Sequence, residues 1–144
     1  MNNYTATITT STSIEKAYLA ITERMSDWWT PMSAQFLKLG DKAKTNFGGK
    51  SYWVFEAKTL NTPQLIELTC CESNMIWEDL KNPHEWLDTT LRFDFSEENG
   101  VTTLNFTHIG LTQDIACYSV CKEGWDHYFL GSLKEYLNGQ PNTY

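Results

Sequence analysis

Residues 117–137, CYSVCKEGWDHYFLGSLKEYL, carry an apolar stripe that is wider than a surface helix usually shows. At about 100° per residue, Cys121 lies about 40° from Cys117 on a helical projection, and Trp125 lies at about 80°. A helix that is apolar around more than half of its circumference is enclosed by other elements. The stripe widens to about 220° through Tyr118, Tyr128, Phe129, Leu130, Ser132, Leu133, Tyr136 and Leu137.

The two cysteines of this stretch, one helical turn apart, suggest a metal site, a redox pair, a nucleophile with its base, or simple packing. His127 projects at about 280° from Cys117, so a Cys-Cys-His site within the helix is excluded. A disulfide between Cys117 and Cys121 fits helical geometry poorly. We therefore predict that both cysteines are small apolar members of a buried stripe. No metal and no cofactor is expected.

The rest of the chain has the alternating pattern of an antiparallel sheet. The pattern of residues 4–10 predicts a strand, and about six further strands are expected between residues 42 and 109. Consecutive strands joined by short turns favour an α+β domain with its helices on one face of the sheet. A chain of this length most simply forms one domain, residues 1–144. The further strands are expected at residues 42–47, 51–60, 64–71, 73–80, 89–95 and 101–109.

Three helices accompany these strands in the prediction. Thr12 and Glu15 form a capping-box pattern at the start of a helix over residues 14–22. A second short helix over residues 23–29 ends before Pro31. The last helix is expected to run from Thr112 to Asn138, with Gly139 and Pro141 beyond its end.

Composition excludes several classes of partner. The chain has 11 basic and 18 acidic side chains, a net charge of -7, which disfavours nucleic acid and anionic membrane surfaces. No run approaches the roughly 18 apolar residues of a membrane span, and the first residues do not form a signal peptide. Four cysteines without a CxxC motif indicate reduced thiols and a cytoplasmic protein.

Four segments resemble the START-like (SRPBCC) superfamily: DWW at 27–29, EWLDTTLRFDF at 85–95, TTLNFTHIGL at 102–111 and CYSVCKEGWDHYFLGSLKEYLNGQP at 117–141. They resemble in particular the branch of heat-shock-chaperone ATPase activator homologues and calicheamicin-resistance-like proteins. The resemblance implies a helix-grip fold, as in the birch-pollen allergen. In that fold a curved antiparallel sheet of about six to seven strands wraps round a long C-terminal helix, and two short helices follow the first strand. It also implies an internal cavity that binds hydrophobic molecules.

His108 and Glu56 are the main candidates for acid–base chemistry. By strand alternation His108 lies on the apolar face with Leu104 and Phe106. It is either a polar anchor or proton carrier at a cavity, or a core histidine bonded to a carbonyl or hydroxyl group. Glu56 lies on a strand face whose direction the alternation does not determine.

The predicted cavity wall is largely aromatic, in keeping with seven Phe, seven Tyr and six Trp residues. Trp28 and Trp29 are adjacent on a short helix, so one can be buried while the other meets a groove. Gly124 is expected to admit a neighbouring element close to the helix. The candidate cavity residues are Trp28, Trp29, Trp53, Phe55, Trp77, Phe106, His108, Tyr118, Cys121 and Trp125.

These observations favour a carrier or sensor that binds a hydrophobic small molecule, aromatic molecules included, between the sheet and the last helix. One alternative is an enzyme similar to polyketide cyclases and aromatases, which uses the same cavity with His108 and either Glu56 or a tyrosine as proton carriers. The other is a co-chaperone that activates a heat-shock chaperone ATPase. We favour binding without catalysis, by a monomer or a homodimer.

Overall fold

The computed structural model describes residues 2–77 and 80–138. Its strands are β1 Tyr4–Thr10, β2 Lys42–Asn46, β3 Tyr52–Asn61, β4 Leu65–Asn74, β5 Thr90–Glu98 and β6 Val101–Ile109. They form one sheet in the order β1-β6-β5-β4-β3-β2, and every neighbouring pair is antiparallel. This confirms the α+β prediction. That residues 1–144 form a single domain stays a prediction.

The helices are α1 Ile14–Thr22, α2 Met25–Trp28, α3 Tyr118–His127 and α4 Lys134–Leu137, with a π-helical segment, Tyr128–Leu133, between α3 and α4. We call residues 118–137 the C-terminal helix. The two short helices after β1 and the long helix against a curved sheet confirm the helix-grip fold. None of the helices in the described ranges is long and apolar enough to cross a membrane.

The inner face of the sheet is set by strand alternation. On β6, Leu104, Phe106 and His108 are buried, and the residues between them are more exposed. On β3, Trp53 and Phe55 face the core. Strand alternation alone did not determine which face of β3 points inward. The structure shows that it is the face of Trp53 and Phe55, and that Glu56 lies on the opposite face.

The start of α1 differs by one residue from the prediction. Ser13, not Thr12, is the N-cap, and its hydroxyl accepts a hydrogen bond from the Lys16 amide at 3.2 Å. Thr12 has another role, because its hydroxyl donates to the carbonyl of Leu137. The Thr10 hydroxyl donates to the same carbonyl at 3.1 Å. The end of β1 thus satisfies a terminal carbonyl of the C-terminal helix.

The C-terminal helix begins at Tyr118 rather than at Thr112, because residues 113–117 form turns and a bend. The Glu85 carboxylate accepts hydrogen bonds from the amides of Ala116 at 3.1 Å and Cys117 at 2.8 Å. A side chain from a distant segment therefore binds the amides that open the helix. The predicted end at Gly139 and Pro141 lies outside the described residues.

The buried row of the C-terminal helix is narrower than the predicted stripe. With 3.6 residues per turn, a row of every fourth residue drifts round the helix by about 40° per step. Hydrogen bonds in the π-helical segment span five residues, so its wider turns reduce this drift. Leu130, predicted in the stripe, is 38% exposed. The buried row is Cys117, Cys121, Trp125, Phe129, Leu133 and Leu137.

The strand predicted over residues 73–80 is wrong for the residues that are described. Ser73 and Asn74 complete β4, whereas residues 75–77 and 80 belong to no strand. The Met75 amide donates to the carbonyl of Pro83 at 2.8 Å, and the Ile76 amide donates to the Ser51 hydroxyl at 2.9 Å. The chain is therefore held here by loop contacts instead of a sheet ladder.

Candidate functional site

Three aromatic rings form a continuous stack against the inner face of the sheet. Trp53 lies in the middle, with the Phe47 ring centroid at 3.8 Å and an interplanar angle of 19°. On its other side the Trp86 centroid lies at 3.7 Å and 7°. Both faces of the Trp53 indole are thus covered.

Two further tryptophans continue this arrangement towards the helices. Trp29 lies beyond the end of α2 and Trp125 lies on α3; their centroids are 5.0 Å apart at 26°. Trp29 is also nearly parallel to Trp53, at 5.8 Å and 14°, as Trp125 is to Trp86, at 5.9 Å and 14°. Four tryptophans from separate segments therefore share nearly one plane direction.

A cleft of about 340 Å³ lies among these rings and is partly open at the surface. Its size falls in the range of roughly 300–1,000 Å³ that small-molecule pockets occupy. It lies between the sheet and the C-terminal helix, where the resemblance placed a cavity. We call it the tryptophan cleft. Its lining residues are Trp29, Thr30, Phe47, Trp53, Trp77, Trp86, Val120, Cys121, Gly124, Trp125 and Tyr128.

Gly124 contributes space to the tryptophan cleft. Apart from its two chain neighbours and the backbone of its own helix, a Cβ atom built on Gly124 would have no heavy atom within 4 Å. The expected close approach of a neighbouring element is therefore wrong. The missing side chain leaves room on the cleft side of α3 instead.

Polar groups in the cleft wall are few. Among the described residues that line it, none is a carboxylate, an amine, a guanidinium or an imidazole. The Thr30 hydroxyl is bonded to the Thr45 hydroxyl. The indole N–H of Trp53 is buried and has no hydrogen-bond partner within residues 2–77 and 80–138.

His108 lies next to the cleft, in a closed hydrogen-bonded cluster. The Trp125 indole donates to His108 Nδ1 at 3.0 Å, so Nε2 carries the proton and donates to Thr89 Oγ1 at 2.9 Å. Thr89 in turn donates to the carbonyl of Trp86 at 2.7 Å. We call these four residues the His108 cluster. Burial lowers the pKa of His108 from 6.5 to about 3, so the imidazole is neutral at ordinary pH.

Gly110, two residues after His108, packs against Thr89 of the His108 cluster. Its φ of +104° is one that residues with a side chain rarely adopt. A Cβ atom at Gly110 would also lie 2.7 Å from Thr89 Cγ2. The His-x-Gly part of the TTLNFTHIGL segment is therefore explained by the close packing of Gly110 on the threonine that binds His108.

The two acid–base candidates are not brought together. Glu56 lies on the outer face of the sheet, where its carboxylate is 3.4 Å from the Lys58 amine. His108 is fully buried, both of its ring nitrogens are engaged, and it does not line the cleft. An acid–base pair of His108 and Glu56 is not assembled in this structure.

Cys121 on α3 and Cys117 just before it are packed thiols, and Cys121 lines the cleft. Cys121 Sγ donates to Cys117 Sγ at 2.8 Å and accepts from the Trp86 indole at 3.2 Å. Both residues are buried and neither is in a disulfide. The hydrogen bond with Cys121 and burial raise the pKa of the Cys117 thiol, which disfavours the thiolate.

The predicted cavity residues divide into two groups. Trp28 is buried, and its indole N–H donates to the carbonyl of Ala20 at 2.8 Å. Phe55, Phe106 and His108 are also fully buried, and Tyr118 is half-buried; none of these lines the cleft. The five that line it are Trp29, Trp53, Trp77, Cys121 and Trp125.

Sequence reasoning missed about half of the lining. Trp86 is the main omission, because it lies in a loop without the periodicity that assigns a residue to a face. The segment EWLDTTLRFDF, quoted for the resemblance, was the available signal. Phe47, Thr30, Val120, Gly124 and Tyr128 complete the missed set.

A second concave site, of about 260 Å³, lies between α1, α2 and residues 32–36. The loop that forms its wall is bonded back to the helices: the Phe36 amide donates to the Thr22 carbonyl at 2.9 Å, and the Met32 amide donates to the Ser26 hydroxyl at 2.9 Å. It shares no lining residue with the tryptophan cleft. The cleft, with its aromatic walls, is the stronger candidate.

The family model described as "Activator of Hsp90 ATPase homolog 1-like protein" matches residues 11–138. The chain belongs to this family. Family membership confirms the START-like (SRPBCC) resemblance and its activator-homologue branch. A search among curated protein sequences finds no match.

Several solved structures are similar to this chain in fold. An Aha1 dimer from Colwellia psychrerythraea has a TM-score of 0.75 at 23% identity, covering 98% of this chain and 99% of that chain. An HSP90 activator from Plasmodium falciparum has a TM-score of 0.68 at 21% identity, covering 95% and 96%. DynU16, from the dynemicin biosynthetic locus, has a TM-score of 0.70 at 15% identity, covering 95% and 47%. At these identities the likeness establishes the fold.

Proposed function

We propose that this member of the family binds an apolar small molecule in the tryptophan cleft, as a carrier or sensor. The observation that carries the proposal is Gly124. A glycine inside a helix costs about 1 kcal/mol relative to alanine. Gly124 has neither a left-handed backbone nor a close neighbour that would require glycine. What remains is the space that it leaves in the cleft.

The walls of the cleft fit an apolar occupant with flat surfaces. Trp29 and Trp125 present stacked indole rings to it, and such rings contribute large contact areas at little cost in side-chain entropy. Val120, at the rim, is 56% exposed. An apolar molecule in the cleft would also cover this surface, which water now contacts.

Gly124→Leu is the direct test, with Gly131→Ala as the matched control. Leucine at 124 fills open space in the cleft, whereas Gly131 lies in the same helix and does not line the cleft. The titrant is 1-ethylnaphthalene, and binding is followed by calorimetry and tryptophan fluorescence. We expect Gly124→Leu to weaken binding by at least about tenfold without lowering the melting temperature, and Gly131→Ala to bind as the wild type does. Equal affinities in all three proteins would reject the proposal.

Native mass spectrometry identifies a ligand carried through purification. The intact mass of freshly purified wild type is compared with its denatured mass, and the same comparison is made for Gly124→Leu. A bound mass found in the wild type and lost in the variant assigns the ligand to the cleft. A bound mass retained equally by the variant assigns it elsewhere and counts against the proposal.

A second candidate is activation of a chaperone ATPase, favoured by the family description and by the likeness to an HSP90 activator. Its test is the ATPase rate of the Hsp90-type chaperone from the same organism, measured with increasing amounts of this protein. A saturable rise in rate supports it. An unchanged rate at large excess rejects it.

The cyclase alternative needs His108 with Glu56 or a tyrosine as proton carriers, and neither His108 nor Glu56 lines the cleft. His108 is sealed within its own cluster, and Glu56 lies on the other side of the sheet. Binding is therefore the function that the geometry supports best.

A further inference from the structure

We infer that the molecule bound in the tryptophan cleft is a neutral, flat aromatic compound that carries a hydrogen-bond acceptor, such as a ketone carbonyl, and that the indole N–H of Trp53 donates to this acceptor. The inference rests on the proposed function and narrows it to a chemical class.

The Trp53 N–H stands out from the neighbouring indoles. Trp28 donates to the Ala20 carbonyl, Trp86 donates to Cys121 Sγ, and Trp125 donates to His108 Nδ1. The Trp53 N–H alone among these four is buried without a partner in the described part of the chain. A buried donor without an acceptor costs about 1–3 kcal/mol, and such groups are usually satisfied by ordered water or by a ligand.

The stacking around Trp53 determines which part of its ring remains for a ligand. Phe47 and Trp86 cover its two faces at 3.8 and 3.7 Å. A ring stacked on both faces can line a cleft only with its edge. The edge of an indole is the positive part of the ring and includes the N–H group. An acceptor atom is the chemical group that complements such an edge.

The absence of charge in the wall favours a neutral occupant. None of the described lining residues carries a cationic group that would pair with a carboxylate or a phosphate. Moving an anion from water to this site would cost its hydration without compensation. A carbonyl group keeps the acceptor and avoids this cost.

The only other unpartnered buried side-chain nitrogen or oxygen among the described residues is the Tyr18 hydroxyl. Tyr18 packs against Phe95, with ring centroids 5.5 Å apart, and it does not line the cleft. Trp53 is therefore the one described residue that both lines the cleft and has a buried donor to offer.

Three matched naphthalene probes test the inference. 1-Acetylnaphthalene has the carbonyl acceptor, 1-ethylnaphthalene has nearly the same shape without it, and 1-naphthoate is the anion. We expect the wild type to prefer the ketone over the ethyl compound by about five- to tenfold, the range of one net hydrogen bond. The naphthoate should bind at least about tenfold more weakly than the ketone.

The key variant replaces Trp53 by benzothienylalanine, which substitutes sulfur for the N–H and keeps the two fused rings. The preference for the ketone should then fall to about twofold or less, and the affinity for 1-ethylnaphthalene should stay unchanged. The same replacement at Trp28, whose N–H is bonded to the Ala20 carbonyl and which does not line the cleft, is the control and should keep the preference. Loss of the preference at Trp28 instead of Trp53 would overturn the assignment of the donor.

The outcomes separate the inference from the proposed function. Binding of all three probes with equal affinity, unaffected at Trp53, overturns the inference and leaves a general apolar cleft. Tight binding of the naphthoate overturns the neutral class. Binding of no probe to the wild type contradicts the proposed function itself.

Discussion

The His108 cluster and the tryptophan cleft share Trp125 but differ in how their polar groups are used. In the cluster, both histidine nitrogens and the threonine hydroxyl have partners between 2.7 and 3.0 Å away. In the cleft, the Trp53 indole N–H has no partner among the described residues, and Gly124 leaves open space. The indole N–H of Trp125 belongs to the first region, and its ring lines the second.

The two regions therefore differ in what they offer to a ligand. A buried histidine attracts attention as a proton carrier, yet His108 is held in one tautomer by Trp125 and Thr89 and kept neutral by burial. Satisfied polar clusters of this kind hold a core in one arrangement. An unsatisfied donor beside an opening is the feature that a ligand can use.

The largest effect should come from removing the histidine. His108→Ala leaves the Trp125 N–H without an acceptor and creates a cavity, so we expect a loss of about 3 kcal/mol in the free energy of unfolding. Urea denaturation measures this loss. His127→Ala, at an exposed position of α3, should stay within about 0.5 kcal/mol of the wild type. Equal losses for both variants would show that the cluster does not stabilise the core.

The pH dependence of the free energy of unfolding tests whether the His108 cluster keeps its histidine neutral. The folded protein keeps His108 neutral down to a pKa of about 3, whereas the unfolded chain takes up its proton below about pH 6.5. Protonation therefore favours unfolding as the pH falls from about 6.5 towards 3. In that window this group should remove about 1.4 kcal/mol of stability per pH unit.

The pH effect is isolated by comparing the wild type with His108→Gln, whose amide can accept from Trp125 and donate to Thr89. All other titrating groups are common to the two proteins. Unfolding free energies measured between pH 7 and pH 4.5 should fall more steeply for the wild type. Parallel curves would mean that His108 does not remain neutral in the fold.

The smallest expected effect is a gain in stability, and it comes from a substitution in the cleft. Gly124→Ala should raise the free energy of unfolding by about 0.5–1 kcal/mol, because alanine favours the helix and its Cβ meets nothing. The same change should weaken binding of 1-ethylnaphthalene by narrowing the cleft. Thermal denaturation and calorimetry on one preparation measure both effects. A destabilised variant would show that glycine at 124 is needed for packing.

Much of the fold could be predicted from the sequence because strands alternate strictly. The bounds of β1 and β6 and the inward direction of His108 follow from period two. The prediction of the C-terminal helix was less accurate for its first residue and for the side of the helix that is buried. Both depend on features that strand or helix periodicity does not contain. The carboxylate of Glu85 arrives from a distant loop, and the π-helical segment changes the number of residues per turn.

The site was harder to predict than the fold, because contacts between distant segments bring its residues together. Trp29 and Trp125 lie next to or within helices, where a helical projection places them on a face. Trp86 lies in a loop, where no period applies, and only the folded chain places it on Trp53. Which indole lacks a partner also depends on contacts between distant segments.

The most direct test of the account is the ¹⁵N–¹H spectrum of the six tryptophan indoles, recorded while 1-acetylnaphthalene is added. We expect the indole signals of the cleft to shift, with the largest shift for Trp53. The signal of Trp28, whose N–H is bonded to Ala20 away from the cleft, should stay in place. If calorimetry shows saturation while the cleft indoles do not move, the tryptophan cleft is not the binding site.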